Sequence, residues 1–301
     1  MKKIGISCET IVKKYGYEKA FEICKESGFD AVDFNLMQFG RHLDAPDIYN
    51  ASNDEFEEYF TAIKNKAASL ELEISQTHGR CTTYTPDEKQ CEYTRWVCEK
   101  DLQATRLLGA PACVIHSIKS IDYPKHHLDG TFMQQKNKEL FDFLIPIAEK
   151  NHVKFALETY GRGNVSGVTK AEFFAHVNEL KKQFDMLDTK NKTICVDTGH
   201  THEAVRFGVP GPAETIRTLG SNVTLLHLHD NNGFRDQHLP PIMGNGTIKW
   251  SEIFDALDDI GYEGVYNFEL VLGRYGNVLS DAIHFLGKWL RYFVDNRGEM
   301  K

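Results

Sequence analysis

Apolar runs along the chain close, one after another, on residue types that bind metal ions: His78, His116, Glu158, Asp197, His227 with His229, and Glu269. Taken singly, each has an ordinary explanation. A strand-end histidine is commonly a hydrogen-bonded structural residue, and Glu158 could cap a helix or pair with Arg162. Six consecutive runs ending this way are a different matter, because carboxylates gathered in a closed space are costly unless paired or metallated. Oxygen and imidazole donors suit Mn²⁺, Zn²⁺, Co²⁺ or Fe²⁺ and leave coordination positions open to a substrate. Glu158 and Glu269 fall on different runs and can approach a bound molecule from different sides. Proton transfer requires that arrangement, provided their pKa values are pushed apart. A second group follows in the loops. Asp197-Thr198-Gly199-His200 sets His200 one turn past a carboxylate, and Asp236-Gln237-His238 adds an acid and an imidazole two residues apart. His200, Asp236 and His238 form a candidate second site, for a metal or a substrate oxygen. Gly244-Asn245-Gly246 lacks the strand, turn and helix context of a phosphate loop and reads as a tight turn feeding Trp250.

The elements that must position these residues alternate strictly. Runs of β type cover Lys3–Ser7, Ala31–Leu36, Leu72–Gln76, Ala112–His116, Val153–Thr159, Thr193–Asp197, Val223–His229 and Val265–Leu270. Between them lie amphipathic stretches with helix signals. These are Tyr17–Ser27, a capping box at Ser52–Glu55, and Thr85-Pro86-Asp87-Glu88 with the proline at the first helical position of a helix ending at Gly109. Phe132–Asn151, a cap at Thr169–Glu172, Gly211-Pro212 as an opening, Trp250–Ile260 and Val278–Phe293 complete the set. The strands are near-continuous apolar runs, as expected when both faces are covered. Eight such units predict an α/β chain folded as a single (β/α)₈ TIM barrel, one domain over residues 1–301. In that fold the strand C-termini carry the active site.

Composition agrees. Of 301 residues 41% are hydrophobic, enough for a large core, and the net charge of −8 from 35 basic and 43 acidic residues offers no broad basic face for nucleic acid. No signal-peptide run follows the N-terminal lysines, and no stretch of membrane-spanning length occurs. Seven cysteines with no CxxC pair read as reduced thiols, Cys113 and Cys195 as core residues, so a cytoplasmic protein is expected. Loops 37–51 and 117–131, the latter with Lys125, His126 and His127, are expected to wall the site.

The motifs Leu157-Glu158-Thr159, Val196-Asp197-Thr198-Gly199-His200, His227-Leu228-His229-Asp230-Asn231, Asp236-Gln237-His238-Leu239-Pro240-Pro241 with Gly244-Asn245-Gly246 and Trp250, and Phe268-Glu269 resemble the xylose isomerase-like barrel superfamily. That superfamily holds sugar isomerases, 3-epimerases, inosose dehydratases and endonuclease IV. The resemblance implies a core divalent ion (Mn²⁺, Zn²⁺, Co²⁺ or Mg²⁺) held by Glu158, Asp197, His227 and Glu269. The two glutamates then act as acid and base, passing a proton through an enediolate steadied by the metal. His200 resembles the family's substrate-oxygen histidine, and His238 stands where the epimerases often place an arginine. His78, His116 and Asp236 complete the substrate-binding set. The strand-seven ligand is His227 by the His-Leu-x-Asp form and His229 by the two-histidine form; alternation points both the same way. The activity implied is a sugar or sugar-phosphate isomerase or epimerase, with an inosose dehydratase-like lyase and an endonuclease IV-like phosphodiesterase as alternatives. The last would hold up to three ions, adding His78, His116 and Glu158 for one and His200, Asp236 and His238 for another. Expected partners are a small-molecule sugar, polyol or sugar phosphate, with neither nucleic acid nor a membrane; a homo-oligomer is compatible, since many relatives are dimers.

Overall fold

The computed structural model describes residues 1–44, 46–81, 83–84, 86–120, 130–165 and 168–299. Eight strands form one parallel sheet: β1 (Ile4–Ser7), β2 (Ala31–Asn35), β3 (Glu73–His78), β4 (Ala112–Ile115), β5 (Lys154–Glu158), β6 (Lys192–Asp197), β7 (Val223–His227) and β8 (Tyr266–Phe268). They pair in chain order from β1 to β7, and β8 pairs with β1. A parallel bridge between Leu228 and Phe268 joins the seam between β7 and β8, with Leu228 N–H donating to Asn267 O at 2.8 Å and Glu269 N–H to Leu228 O at 3.1 Å. The chain is therefore a TIM barrel, with its sheet wrapped round until its edges meet.

Nine α-helices are found among the described residues: α1 (Glu9–Glu26), α2 (Asn53–Ser69), α3 (Glu88–Leu108), α4 (Gly130–Asn151), α5 (Val177–Asp185), α6 (Thr198–Ala204), α7 (Pro212–Leu219), α8 (Trp250–Asp259) and α9 (Leu279–Asp295). Their apolar stripes pack on the outer face of the strands in one continuous core that includes Phe21, Phe60, Phe141, Ile216, Phe254 and Leu286. Inside the barrel, Ala112, Val114, Ala156, Cys195 and Leu225 make a small separate cluster. Strand alternation places His116, Glu158, Asp197 and His227 on the same inward face, one step further towards the C-terminal rim. An apolar plug thus floors a polar mouth. Cys113 and Cys195 are buried core residues.

Ser52 accepts from Glu55 N–H while the Glu55 carboxylate accepts from Ser52 N–H, completing the capping box of α2. Several expected boundaries differ. The first helix starts at Glu9, with Gly16 at φ 77° breaking it before the amphipathic part. Asp87 caps α3 by accepting from Gln90 N–H, so Pro86 lies outside the helix and not at its first position; Thr85 is outside the described residues. Thr169–Ala171 belongs to a strand, not a helix cap, and α5 opens only at Val177. Two short strand pairs sit outside the barrel: Thr83–Tyr84 with Lys119–Ser120, and the hairpin Arg162–Val165 with Val168–Ala171. Among the described residues no helix is long and apolar enough to cross a membrane.

Candidate metal centre

Register brings the inward rim residues together. Asp197 on β6 pairs with His227 on β7, and Glu158 on β5 pairs with Cys195, two residues before Asp197 on the same face. The seam then carries Glu269 in beside Leu228. Glu158, Asp197, His227 and Glu269 each offer a ligand atom within 4.8 Å of the others. Glu158, Asp197 and His227 are fully buried, while Glu269 faces the mouth. His227 Nδ1 lies 2.6 Å from Glu158 Oε1 and 3.2 Å from Glu269 Oε2. His229 sits one step higher, its Nε2 2.9 Å from Asp197 Oδ1, and stacks on His238 with ring centroids 3.8 Å apart. The two strand-seven histidines therefore point the same way but meet different carboxylates.

Two further clusters flank the four. His116 Nε2 is 2.7 Å from Glu158 Oε2, and His78 Nε2 is 3.4 Å from His116 Nε2. On the other side, Asp236 lies 3.5 Å from His200 Nε2 and 3.1 Å from His238 Nε2. His200 N–H donates to Asp197 Oδ1, which caps α6, and His238 is tied at 3.0 Å from its Nδ1 to the Glu269 carbonyl. Each trio also has its ligand atoms within 4.8 Å of one another. His78, His116, Glu158, His200, Asp236, His238 and Glu269 all line one cavity of about 430 Å³ at the C-terminal rim. A second cavity of about 590 Å³ at the opposite end, lined by Lys3, Glu73, Lys154 and Glu263 among others, holds none of these clusters.

Burial alone would raise the Glu158 carboxyl, but His116 and His227 outweigh it and hold it well below the usual range. Asp197 is likewise drawn down against burial by His200 and His229, and Asp236 by His200 and His238. The histidines move the other way. Burial pushes each down, yet the surrounding anions raise His200 and His227 well above the ordinary value, His116 to about 10 and His238 to about 9. These opposed shifts describe buried carboxylates saturated by imidazolium. Even so, His78 Nδ1, His116 Nδ1 and Asp33 Oδ1 are buried without a hydrogen bond. Orphaned donor atoms in a mixed carboxylate and imidazole set fit a divalent cation of the Mn²⁺, Co²⁺ or Zn²⁺ kind.

Other residues of the site were not anticipated from sequence. Asp33 on β2 is buried, accepts from Ser7 Oγ at 2.8 Å, and lies 3.3 Å from His227 Nε2. A lone acid inside Ala31-Val32-Asp33-Phe34 was its signal. Cys81 lines the cavity; desolvation pushes its thiol up, but neighbouring His116 and then Lys119 bring it to about 7. Arg162 pairs with Glu203, not with Glu158. Of the expected walls, Met37 lines the cavity, whereas Lys125, His126 and His127 lie outside the described residues.

The model of the xylose isomerase-like TIM barrel family matches residues 21–287. Over 129 residues the chain is 34% identical to an uncharacterized protein of Methanocaldococcus jannaschii, covering 42% of this chain and 40% of that one. Over 186 residues it is 28% identical to an uncharacterized protein of Sinorhizobium fredii, covering 59% and 52%. The chain thus spans about half, or less, of the length of these curated relatives. Among solved structures, a D-tagatose 3-epimerase-like protein superposes with a TM-score of 0.71 at 21% identity over 98% of this chain and 99% of that one. A D-psicose 3-epimerase of Clostridium cellulolyticum gives 0.70 at 17% identity, covering 99% and 100%, and a 3-keto-D-glucoside 4-epimerase of E. coli gives 0.70 at 16%, covering 97% and 100%. At such identities the likeness speaks to the fold.

Proposed function

This chain belongs to the xylose isomerase-like TIM barrel family, and on that premise we propose that it is a divalent-metal-dependent isomerase or epimerase of sugars or sugar phosphates. The observation that carries the reading is the convergence of Glu158, Asp197, His227 and Glu269 at the C-terminal mouth. An ion held by these four would polarise two adjacent substrate oxygens and acidify the C–H between them. Glu158 and Glu269 come from β5 and from the end of β8, so their carboxylates reach a substrate carbon from different directions. One takes the proton and the other returns it, and return to the opposite face inverts the carbon. His116 and His227 keep Glu158 ionised, which also makes it a weak base in the empty site; it accepts a proton only once an ion and a substrate draw these contacts away. His200, Asp236 and His238, with His78 and His116, donate and accept hydrogen bonds along the substrate hydroxyls. The ketose epimerases among the structural neighbours support this choice of substrate class.

A second reading has its own observation. The trios His78–His116–Glu158 and His200–Asp236–His238 flank the four, with Glu158 shared, and three ions so arranged suit an endonuclease IV-like phosphodiesterase. Metal analysis of the purified protein, followed by assay on ketoses, sugar phosphates, inososes and abasic DNA, separates the two. One ion per chain with turnover of a sugar supports the first reading; three ions with phosphodiester cleavage overturns it.

A further inference from the structure

The rim cavity holds more than acids and imidazoles. Beside Glu158, Asp236, Glu269 and the histidines it is lined by two cations, Lys119 and Arg162, on the loops after β4 and β5. Both cations ride on the short strand pairs outside the barrel, where nothing in barrel packing requires a charge. Tyr160 lines the same cavity. Its ring takes Lys119 Nζ over its face at 4.4 Å, and its hydroxyl donates to Ser117 O at 2.7 Å. Lys119 makes no ion pair or side-chain hydrogen bond with another described residue.

Arg162 is built into place. Its backbone N–H and its Nε both donate to the Glu203 carboxylate, at 3.0 and 2.8 Å, and Glu203 is almost fully buried on α6. Gly161 makes the approach possible, since a Cβ there would stand 2.4 Å from Glu203 Oε1. Burying a carboxylate is costly, and a surface cation could neutralise it without this double tie. What the tie achieves is orientation: Nε is fixed, and the two terminal nitrogens bond to no other described residue. A guanidinium held by its Nε edge presents a planar fork suited to an oxyanion.

Resting on the isomerase or epimerase reading, we propose that Lys119 and Arg162 form an anion subsite that grips a phosphate or carboxylate carried by the sugar at the end remote from the reacting carbons. The substrate class is then an anionic sugar, oriented with its charged terminus on the loops after β4 and β5 and its vicinal oxygens on the four carboxylate and imidazole donors.

Binding to the metal-loaded protein is measured by calorimetry with inorganic phosphate, glycerol 3-phosphate, glycerate and glycerol. Either glycerol 3-phosphate or glycerate binds at least about tenfold more tightly than glycerol, the preferred one identifying phosphate or carboxylate as the group read. Arg162→Gln and Lys119→Gln each weaken binding of that anion by about 10–100-fold, the range for a charge-assisted hydrogen bond. Phosphate held by the ion alone would be retained in both variants, so anion affinity within twofold of the parent overturns the proposal, as does an anion that binds no better than glycerol. Lys119→Gln leaves the Arg162–Glu203 pair intact and keeps the test decisive if Arg162→Gln does not fold. The readout needs no turnover, so failure of the subsite and failure of the isomerase reading are separate results.

Discussion

At the residue scale the centre is a set of acids and bases that have already exchanged their protons. His227 carries a pKa well above the ordinary value because the anions around it outweigh burial, and His116 is raised to about 10. A cation entering the site must displace protons from imidazoles that bind it only in the neutral form. Calorimetry with Mn²⁺ in two buffers of different ionisation enthalpy is therefore expected to show net proton release at pH 7, with affinity rising from pH 6 to 8. Equal heats in both buffers would contradict that. The two glutamates make a companion case. Replacing Glu158 or Glu269 by Gln keeps one ligating oxygen but removes the basic one. Metal binding should persist, weakened, while turnover falls by the ~10²–10⁴-fold typical of a lost acid–base group. A variant that keeps full turnover would remove that glutamate from the mechanism.

At the scale of elements, the site depends on how the strand ends are held. Gly199 follows β6 where a Cβ would stand 1.9 Å from His229 Cε1. Gly199→Ala must displace either α6, which Asp197 caps, or the end of β7. The expected cost is about 1–3 kcal/mol, the range for overpacking, with weaker Mn²⁺ binding, both read by urea unfolding and calorimetry. Ser52→Ala removes the α2 capping box at a cost of ~1 kcal/mol and should leave Mn²⁺ affinity unchanged, since Ser52 neither lines the rim cavity nor belongs to any of the ligand clusters. The strands themselves were legible because apolar runs of strand length alternate with helical stripes, and their last residues could be read off directly. The first turns of α1 were not, since Gly16 at φ 77° interrupts the helical pattern. Thr169–Glu172 carries the residue types of a capping box, yet threonine and valine also favour strands. Pairing with Arg162–Val165 settles the choice, and that partner is invisible to a local pattern.

For the whole molecule, closing the sheet into a barrel turns six separate strand ends into one mouth, which is why the donor types could be found in sequence before any distance was known. What the sequence did not disclose depends on how loops and neighbouring strands fold over that mouth. Asp33 reaches His227 across the barrel, and Glu203 fixes Arg162 across 41 residues of chain. The mouth also sets the pH response of the whole chain. In the metal-free protein His238 and His116 are raised from 6.5 to about 9 and about 10. The folded state therefore holds protons that the unfolded chain releases. This stabilisation is complete below pH 6.5 and is lost as pH rises through 9 and 10. Thermal melting of the metal-free protein should fall across that window, by less than the two histidines alone would give because the Cys81 thiol, lowered from 9.0 to about 7, titrates in the opposite sense there; a rising profile would show that these histidines are neutral when folded. The central claim, that a glutamate pair moves a substrate proton, is tested most directly in D₂O with whichever sugar of the assay panel is turned over. Product analysed by NMR should carry deuterium at the carbon that was inverted or isomerised, and with Glu158→Gln that incorporation should fall with turnover. Product free of solvent deuterium would contradict the account, pointing instead to hydride shift or to hydrolysis.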